Sequence, residues 1–504
     1  MNQVVALPVV IPFIAGALSL VLYQSRMAQR WIGVVGTGAL LIASVVLLRE
    51  TAGEGILVIE MGAWAAPFGI VLVSDLLGAI MVVLAAIMGF GVAVYSLASI
   101  SEAHERFGYY PLMHLLLAGV CGAFLTGDVF NLYVWVEVLL VASFALLILG
   151  GERGQMEGAI KYVTLNLLSS ILLLIAVGLT YGLTGTLNMA DLAVKLPQVE
   201  NQGLVTVVAM LYLVSFGIKA AAFPLFFWLP AAYHTPPIAV SALFAGLLTK
   251  VGVYALFRFF TLLFNHDVGY THELLLWMAG LTMITGVLGA AAHYEIRRIL
   301  SFHIVSQIGY MIMGLALFTP LALVGGVFYI MHHIIVKANL FLVGGAVYFL
   351  RGSYELKEIG GLWRTHPWLG LLFLVPALSL AGLPPLSGFF GKYIIIRAGI
   401  EADRWGIVAV ALVVGLLTLY SMIKIWAEAF WKDQPEAQAE RAMRFERQLQ
   451  GGQMALLVLP IIALAAMTLF IGIGAQPIYE LAAASAEQLL DPSVYINAVL
   501  GEAP

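Results

Sequence analysis

Seven ionisable side chains lie in stretches of this chain that are otherwise apolar: Glu137, Lys219, Lys250, His332, His333, Lys337 and Lys392. A charge at the centre of a bilayer costs at least about 2.5 kcal/mol, so such residues are candidates for an ion or proton pathway. Lysine and histidine both lose and regain a proton, and histidine titrates nearest neutral pH. A row of them through the middle of a membrane protein reads as a proton path. A metal cation would need several oxygen ligands, and only one firmly intramembrane carboxylate, Glu137, is present. Cys121 is the single cysteine, which excludes disulfides and thiolate clusters. No glycine-rich nucleotide loop follows a strand, so neither metal nor cofactor is expected.

The elements that must position these groups are membrane helices. Hydrophobic residues make up 62% of the 504 and charged residues only 10%, far from the balance of a soluble domain. Apolar runs of about 20 residues recur along the chain and predict about 14 spans. They cover roughly 4–23, 31–49, 70–97, 109–126, 129–150, 158–182, 203–228, 238–263, 273–292, 299–318, 322–349, 367–398, 405–430 and 453–474. The first run has no charged region ahead of it and reads as a retained helix, not a signal peptide. Loops after odd-numbered spans hold thirteen basic residues, among them Arg26, Arg153, Arg298, Arg364 and Arg441. The opposite side holds three: Arg49, Lys195 and Arg404. That bias puts odd loops in the cytoplasm and both termini outside. The protein should be multi-pass in the cell inner (plasma) membrane.

Two spans carry helix breakers beside a lysine. Pro224 and Pro230 follow Lys219, while Pro384 and Pro385 precede Lys392. Proline removes a helix hydrogen bond, and in a bilayer the freed carbonyls need partners from neighbours or water. Two interrupted helices at matching places are the trace expected of inverted repeats. The fold class expected is an all-α polytopic membrane protein of about 14 transmembrane helices with broken helices, compatible with two inverted five-helix repeats. Its segments are 1–108 (N-terminal helices), 109–263 (first repeat, broken near 219–230) and 273–430 (second repeat, broken near 383–392). A charged cytoplasmic loop or short helix at 431–452 follows, then a last helix and a short extracytoplasmic tail at 453–504.

These residues resemble the antiporter-like membrane subunits of respiratory complex I and their relatives. The resemblance rests on the stretches 131–137 ending in Glu137, 217–230 around Lys219, 241–254 around Lys250, 298–310 with His303 and Gln307, 332–341 with Lys337, and 382–392 ending in Lys392. It runs from about 70 to 430. Within that family the chain is most similar to the D-type subunit of Mrp-type multisubunit sodium/proton antiporters. Residues 161–170, Tyr233 to Pro237, and Leu300 to His303 carry that likeness, with a length lacking a long extension.

The resemblance implies a proton relay through Glu137, Lys219, Lys250, His332, Lys337 and Lys392. His333, Phe341, Ser169, Ser170 and Gln307, with Asn166 and Ser306, would gate or hydrate the gaps. Glu137 and Lys219, on neighbouring helices, are expected to pair, which offsets the burial of both charges. Each group also has a structural reading. Glu137 would be a helix-holding counter-ion, Lys250 and Lys337 would snorkel, and one of His332 and His333 would only pack. His303 and His114 read as structural, Asp128 as a helix cap, and Arg258 and Lys424 as snorkelling. The functional reading is a proton-translocating subunit of a cation/proton antiporter, a transporter and not an enzyme. Its partners would be other membrane subunits, protons, sodium (or potassium or lithium) and the lipid bilayer, with no nucleic acid. The alternative is a proton-pumping membrane subunit of a redox complex or hydrogenase. A scaffold that has lost transport is disfavoured because every ionisable position is filled.

Overall fold

A computed structural model describes residues 3–448 and 451–501, and most of them are helical. Leu449 and Gln450 of the 431–452 loop, and the ends 1–2 and 502–504, lie outside the described residues. The helices are α1 (Leu7–Val21), α2 (Arg26–Glu54), α3 (Leu76–Ser99), α4 (Glu102–Arg106), α5 (Tyr109–Leu125), α6 (Val129–Leu147), α7 (Arg153–Thr184) and α8 (Met189–Lys195). Next come α9 (Gln202–Ala220), α10 (Trp228–Ala232), α11 (Ile238–Leu262), α12 (Val268–Ala292), α13 (Ile296–Ala316), α14 (Pro320–Arg351) and α15 (Leu362–Thr365). The last are α16 (Pro367–Ala381), α17 (Ser387–Glu401), α18 (Trp405–Trp426), α19 (Ala439–Gln448), α20 (Gly451–Ile473), α21 (Ala475–Leu490) and α22 (Pro492–Leu500). Among the described residues twelve helices are long and apolar enough to cross a membrane, and α5 and α16 are shorter apolar ones. With these two the total returns to the fourteen spans read from the sequence.

Helices that are apolar on every side bury every side. All of α11 and nearly all of α14 are buried, and they pack against each other at the centre of the bundle. Lys250 lies on one, and His332, His333 and Lys337 on the other.

Both proline-marked spans are interrupted, and by the same device. Helix α9 ends with Ala221 in the left-handed conformation, where Ala222 N–H donates to Gly217 and Ala221 N–H to Ile218. Helix α16 ends with Gly382 at φ 96°, where Leu383 N–H donates to Leu378 and Gly382 N–H to Ser379. Each is a Schellman cap. A second device also occurs twice. The N-cap of α6, Asp128, forms a one-residue antiparallel bridge with Asn188 beyond α7. The N-cap of α13, Glu295, bridges Glu355 beyond α14 in the same way. Asp128 thus caps a helix as expected, accepting from Asn131 N at 2.7 Å.

Close backbone approach fixes both breaks. A Cβ on Gly252 of α11 would fall 2.4 Å from the nitrogen of Ala220, beside Lys219. A Cβ on Gly388 of α17 would fall 1.8 Å from the carbonyl oxygen of Ser379.

Several details depart from the sequence reading. The third span does not start at 70: Val71–Ser74 is strand β2, paired antiparallel with β1 (Leu57–Glu60), and Asp75 caps α3. The tail, read only as short, holds two packed helices. Helix α21 packs on α3 and α14, α22 on α8 and β1, and Gln488 accepts a hydrogen bond from Leu76 N at 2.9 Å. The charged segment forms the short helix α19, one of its two expected forms, packed on the end of α14 with Glu446 bonded to the buried Arg351 at 3.3 Å.

Arg258 does not snorkel. It is 4% exposed and donates to the buried Asp75 at 2.5 Å, with the Tyr254 and Tyr495 rings beside it. Lys424 does not snorkel either. Its Nζ donates to the carbonyls of Ala291 at 2.8 Å and His293 at 2.7 Å, where α12 ends. A cation is favoured at the negative end of a helix dipole. Both residues reach inward for a partner because a neighbouring helix offers one.

Candidate functional site

The four lysines are buried, and each Nζ donates to the chain's own oxygens. Lys219 reaches Ser170 Oγ at 3.2 Å and the Asn166 carbonyl at 3.5 Å. Lys250 donates to the Ala245 carbonyl at 2.5 Å and Lys337 to the Leu300 carbonyl at 3.1 Å. Lys392 donates to the carbonyls of Leu380 at 2.9 Å and Ala381 at 3.1 Å, the end of α16 just before the break. Its ammonium also sits 4.7 Å from the Tyr310 ring centroid, a cation–π contact. The second break thus holds its lysine directly, through carbonyls that the interruption frees. At the first break the Ile218 carbonyl, already bonded in the Schellman cap, also accepts from Trp228 Nε1 at 3.0 Å.

The expected Glu137–Lys219 pair is close without being in contact. Glu137 is the acidic group acting electrostatically on Lys219, but no ion pair joins them among the described residues. Glu137 Oε1 is buried without a partner in the chain. The sequence puts the two on neighbouring spans but says nothing of the gap between side chains.

Both histidines of α14 occupy polar surroundings. His332 Nδ1 lies 2.8 Å from Ser387 Oγ, which lies 2.9 Å from Ser379 Oγ. His332 therefore faces the second break. His333 has Lys250 and Lys337 as its charged neighbours, and neither ring nitrogen has a partner. Successive residues on a helix point about 100° apart, so the pair addresses two directions. Gln307 accepts from Tyr329 Oη and reaches toward Thr418 at 3.5 Å. Its amide also points at Ser306 Oγ, at 3.5 Å. Phe341 is fully buried on α14. Ser170 contacts Lys219, whereas Ser169 exchanges hydrogen bonds with Ser215 and ties α7 to α9.

Some polar residues of this interior escaped the sequence reading. His303, read as structural, is buried with both ring nitrogens unpaired, and Lys337 and Lys392 are among its charged neighbours. Thr249 beside Lys250 and Asn339 beside Lys337 also carry unpaired buried polar atoms. Tyr329, Ser379 and Ser387 complete the surroundings of His332 and Gln307. The available signal was a polar side chain one or two positions from an intramembrane lysine. Buried polar atoms seldom stay unpaired, and ordered water is the usual partner. The unpaired atoms cluster along α11, α13 and α14, where water would have to bridge one titratable group to the next. Among the described residues no cluster of acidic, histidine or cysteine side chains is arranged to hold a metal ion.

Comparison with known proteins identifies the family. Residues 126–418 match the model of the NADH:quinone oxidoreductase/Mrp antiporter transmembrane family. The chain is 48% identical over 502 residues to the D-type subunit of the Na(+)/H(+) antiporter of Alkalihalophilus pseudofirmus, covering all of both chains. It is 40% identical to the corresponding Na(+)/H(+) antiporter protein of Bacillus subtilis, again over 100% of each. Its fold is similar to a chain of the Mrp complex from Dietzia sp. DQ12-45-1b, with TM-score 0.90 and 35% identity over 99% of this chain and 100% of that one. A chain of respiratory complex I from Thermus thermophilus matches at TM-score 0.81 and 27% identity, over 97% of this chain and 100% of that one. A bundle with twelve membrane-length helices among the described residues, two interrupted helices, the row of buried lysines and full-length relatives converge: this chain belongs to the NADH:quinone oxidoreductase/Mrp antiporter transmembrane family.

Proposed function

We propose that this chain is the proton-carrying subunit of a multisubunit sodium/proton antiporter of the plasma membrane, a secondary transporter and not an enzyme. The observation that carries this reading is the row of four buried lysines held on neutral oxygens, with Glu137 as the one carboxylate near them. A sodium ion among those lysines meets like charge in low dielectric whenever they are protonated, and that repulsion is steep. A proton instead passes from group to group. Protons would use Glu137, Lys219, Lys250, His333 and Lys337, then His332 and Lys392 at the second break, with His303 close by. Gln307, Phe341, Ser169 and Ser170 line or stiffen the gaps. Sodium crosses in a partner subunit. The runner-up, a proton-pumping subunit of a redox complex, draws on the 27% identity to the complex I chain. The antiporter reading is preferred because the 40% and 48% identical relatives bear antiporter names.

The division of labour has a direct test. Purified alone in liposomes, the protein is expected to show no sodium-dependent proton exchange, while the intact complex exchanges. Robust exchange by the isolated chain would overturn the reading and demand a sodium site within it.

We also read the chain as two inverted repeats, 109–263 and 273–430, with both termini extracytoplasmic. The twin Schellman caps and the twin bridges at Asp128 and Glu295 support the repeats. The thirteen-to-three basic bias supports the orientation. A reporter fused after Gly501 should be active only outside the cytoplasm; cytoplasmic activity would refute the orientation.

A further inference from the structure

The ends of α7, α10 and α13 on the basic, cytoplasmic side enclose a cleft of about 340 Å³ that the lysine row does not use. Its charged wall is Lys161 of α7 and Arg298 of α13, its apolar floor Phe227, Pro230 and Phe302, and Glu157 sits at its rim. Lys161 spends one donor on Glu157, at 2.6 Å. Arg298 spends one on His234 Nε2, at 3.2 Å. His234 Nδ1 lies 2.7 Å from the Pro230 carbonyl, so it carries the ring proton and Nε2 accepts. Burial, reinforced by Arg298, lowers the His234 pKa to about 4, which leaves the ring uncharged at neutral pH. Among the lining residues two cations then face one carboxylate; Arg153 adds positive charge nearby, whereas Arg297 is paired with Glu295 at 2.7 Å and Glu355 lies near Arg298. The remaining guanidinium donors suit a phosphate, the group that arginine binds in bidentate fashion.

The cleft also opens onto an apolar strip. Leu168, Ile175 and Leu179 stand exposed along the side of α7 that carries Lys161, seven, fourteen and eighteen residues beyond it and so on one helix face. A cationic mouth continuous with an apolar track is the shape of an anionic lipid, and basic pockets between cytoplasmic helix ends bind such headgroups. We propose that this cleft binds the phosphate headgroup of an anionic phospholipid of the cytoplasmic leaflet, with its acyl chains along α7. Two of the floor residues, Pro230 and Phe227, belong to the short α10 segment and the turn before it, immediately beyond the break after Lys219, and the third, Phe302, to α13. A bound lipid therefore braces the broken helix from outside. The proposal rests on the orientation given above and is independent of which ion the protein carries.

The test is lipid retention by the purified full-length protein, read by native mass spectrometry after exchange into phosphatidylglycerol or phosphatidylcholine. Wild type should hold phosphatidylglycerol and release phosphatidylcholine, and millimolar inorganic phosphate should not displace the lipid. Lys161→Gln and Arg298→Gln should each weaken retention about tenfold, the loss of one charge-assisted contact. Lys161 is half exposed, so that variant reports even if Arg298→Gln misfolds. Equal retention by folded variants, equal binding of the two lipids, or displacement by free phosphate would overturn the proposal. So would a partner protein filling the cleft of the intact complex with no lipid bound.

Discussion

Lys219→Ala and Lys392→Ala are each expected to bring sodium-dependent proton exchange in everted vesicles down to the background of empty vesicles, while the complex still assembles. The two groups act in series, so losing either stops the whole path. Arginine gives the sharper result. Lys219→Arg keeps the charge but does not deprotonate in proteins, so it should fold normally and still fail to exchange. A merely structural ammonium would be rescued by that change. Two other basic residues serve as controls. Arg258→Ala should leave Asp75 as an unpaired buried charge, at a cost of about 3–5 kcal/mol, and show as a lowered melting temperature and less folded protein. Lys424→Ala removes a cap from α12 and should cost about 1 kcal/mol, with exchange largely kept. If Lys219→Ala exchanged as well as Lys424→Ala, the helix breaks would not mark the path.

Glu137→Ala should abolish exchange with almost no loss of stability. Its Oε1 has no partner in the chain and no ion pair is broken, so removal orphans nothing. The expected change is below about 1 kcal/mol by the usual accounting of polar groups. A counter-ion holding helices together would give the opposite pattern, with unfolding and transport lost together. Glu137→Asp should retain part of the exchange, because the charge stays but its reach shortens. Near-normal exchange in Glu137→Ala would remove the residue from the relay.

The sequence revealed the spans, the breaks and the lysines because each has a local signature. A lysine in twenty apolar residues, or a proline in a helix, is visible without any neighbour. Contacts across the bundle left no such trace. Arg258 looked like a snorkelling residue because its partner, Asp75, is 183 positions away. Lys424 looked the same because the carbonyls it caps belong to a different helix. His332 and His333 could not be separated by pattern, since the answer depends on which of α11 and α17 each one meets. His303 was set aside for a similar reason: only packing brings it near Lys337 and Lys392. Helices α21 and α22 have no local signature because their apolar faces are short and their partners, α14 and α3 for one and α8 for the other, lie far away in the chain.

That last arrangement has a consequence for biosynthesis. The amide of Leu76 is capped by Gln488, 412 residues downstream, and Arg258 lies under the ring of Tyr495. Helices are inserted in order of synthesis, yet the third one waits for nearly the whole chain before its first turn is covered. During all that time the β1–β2 hairpin and the Asp75–Arg258 pair lack their cover. A chain that stops after α20 has the last of its membrane-length helices but leaves these groups without their cover, the kind of exposed product that cellular quality control removes. Completion of the last helices is thus the maturation step of the fold.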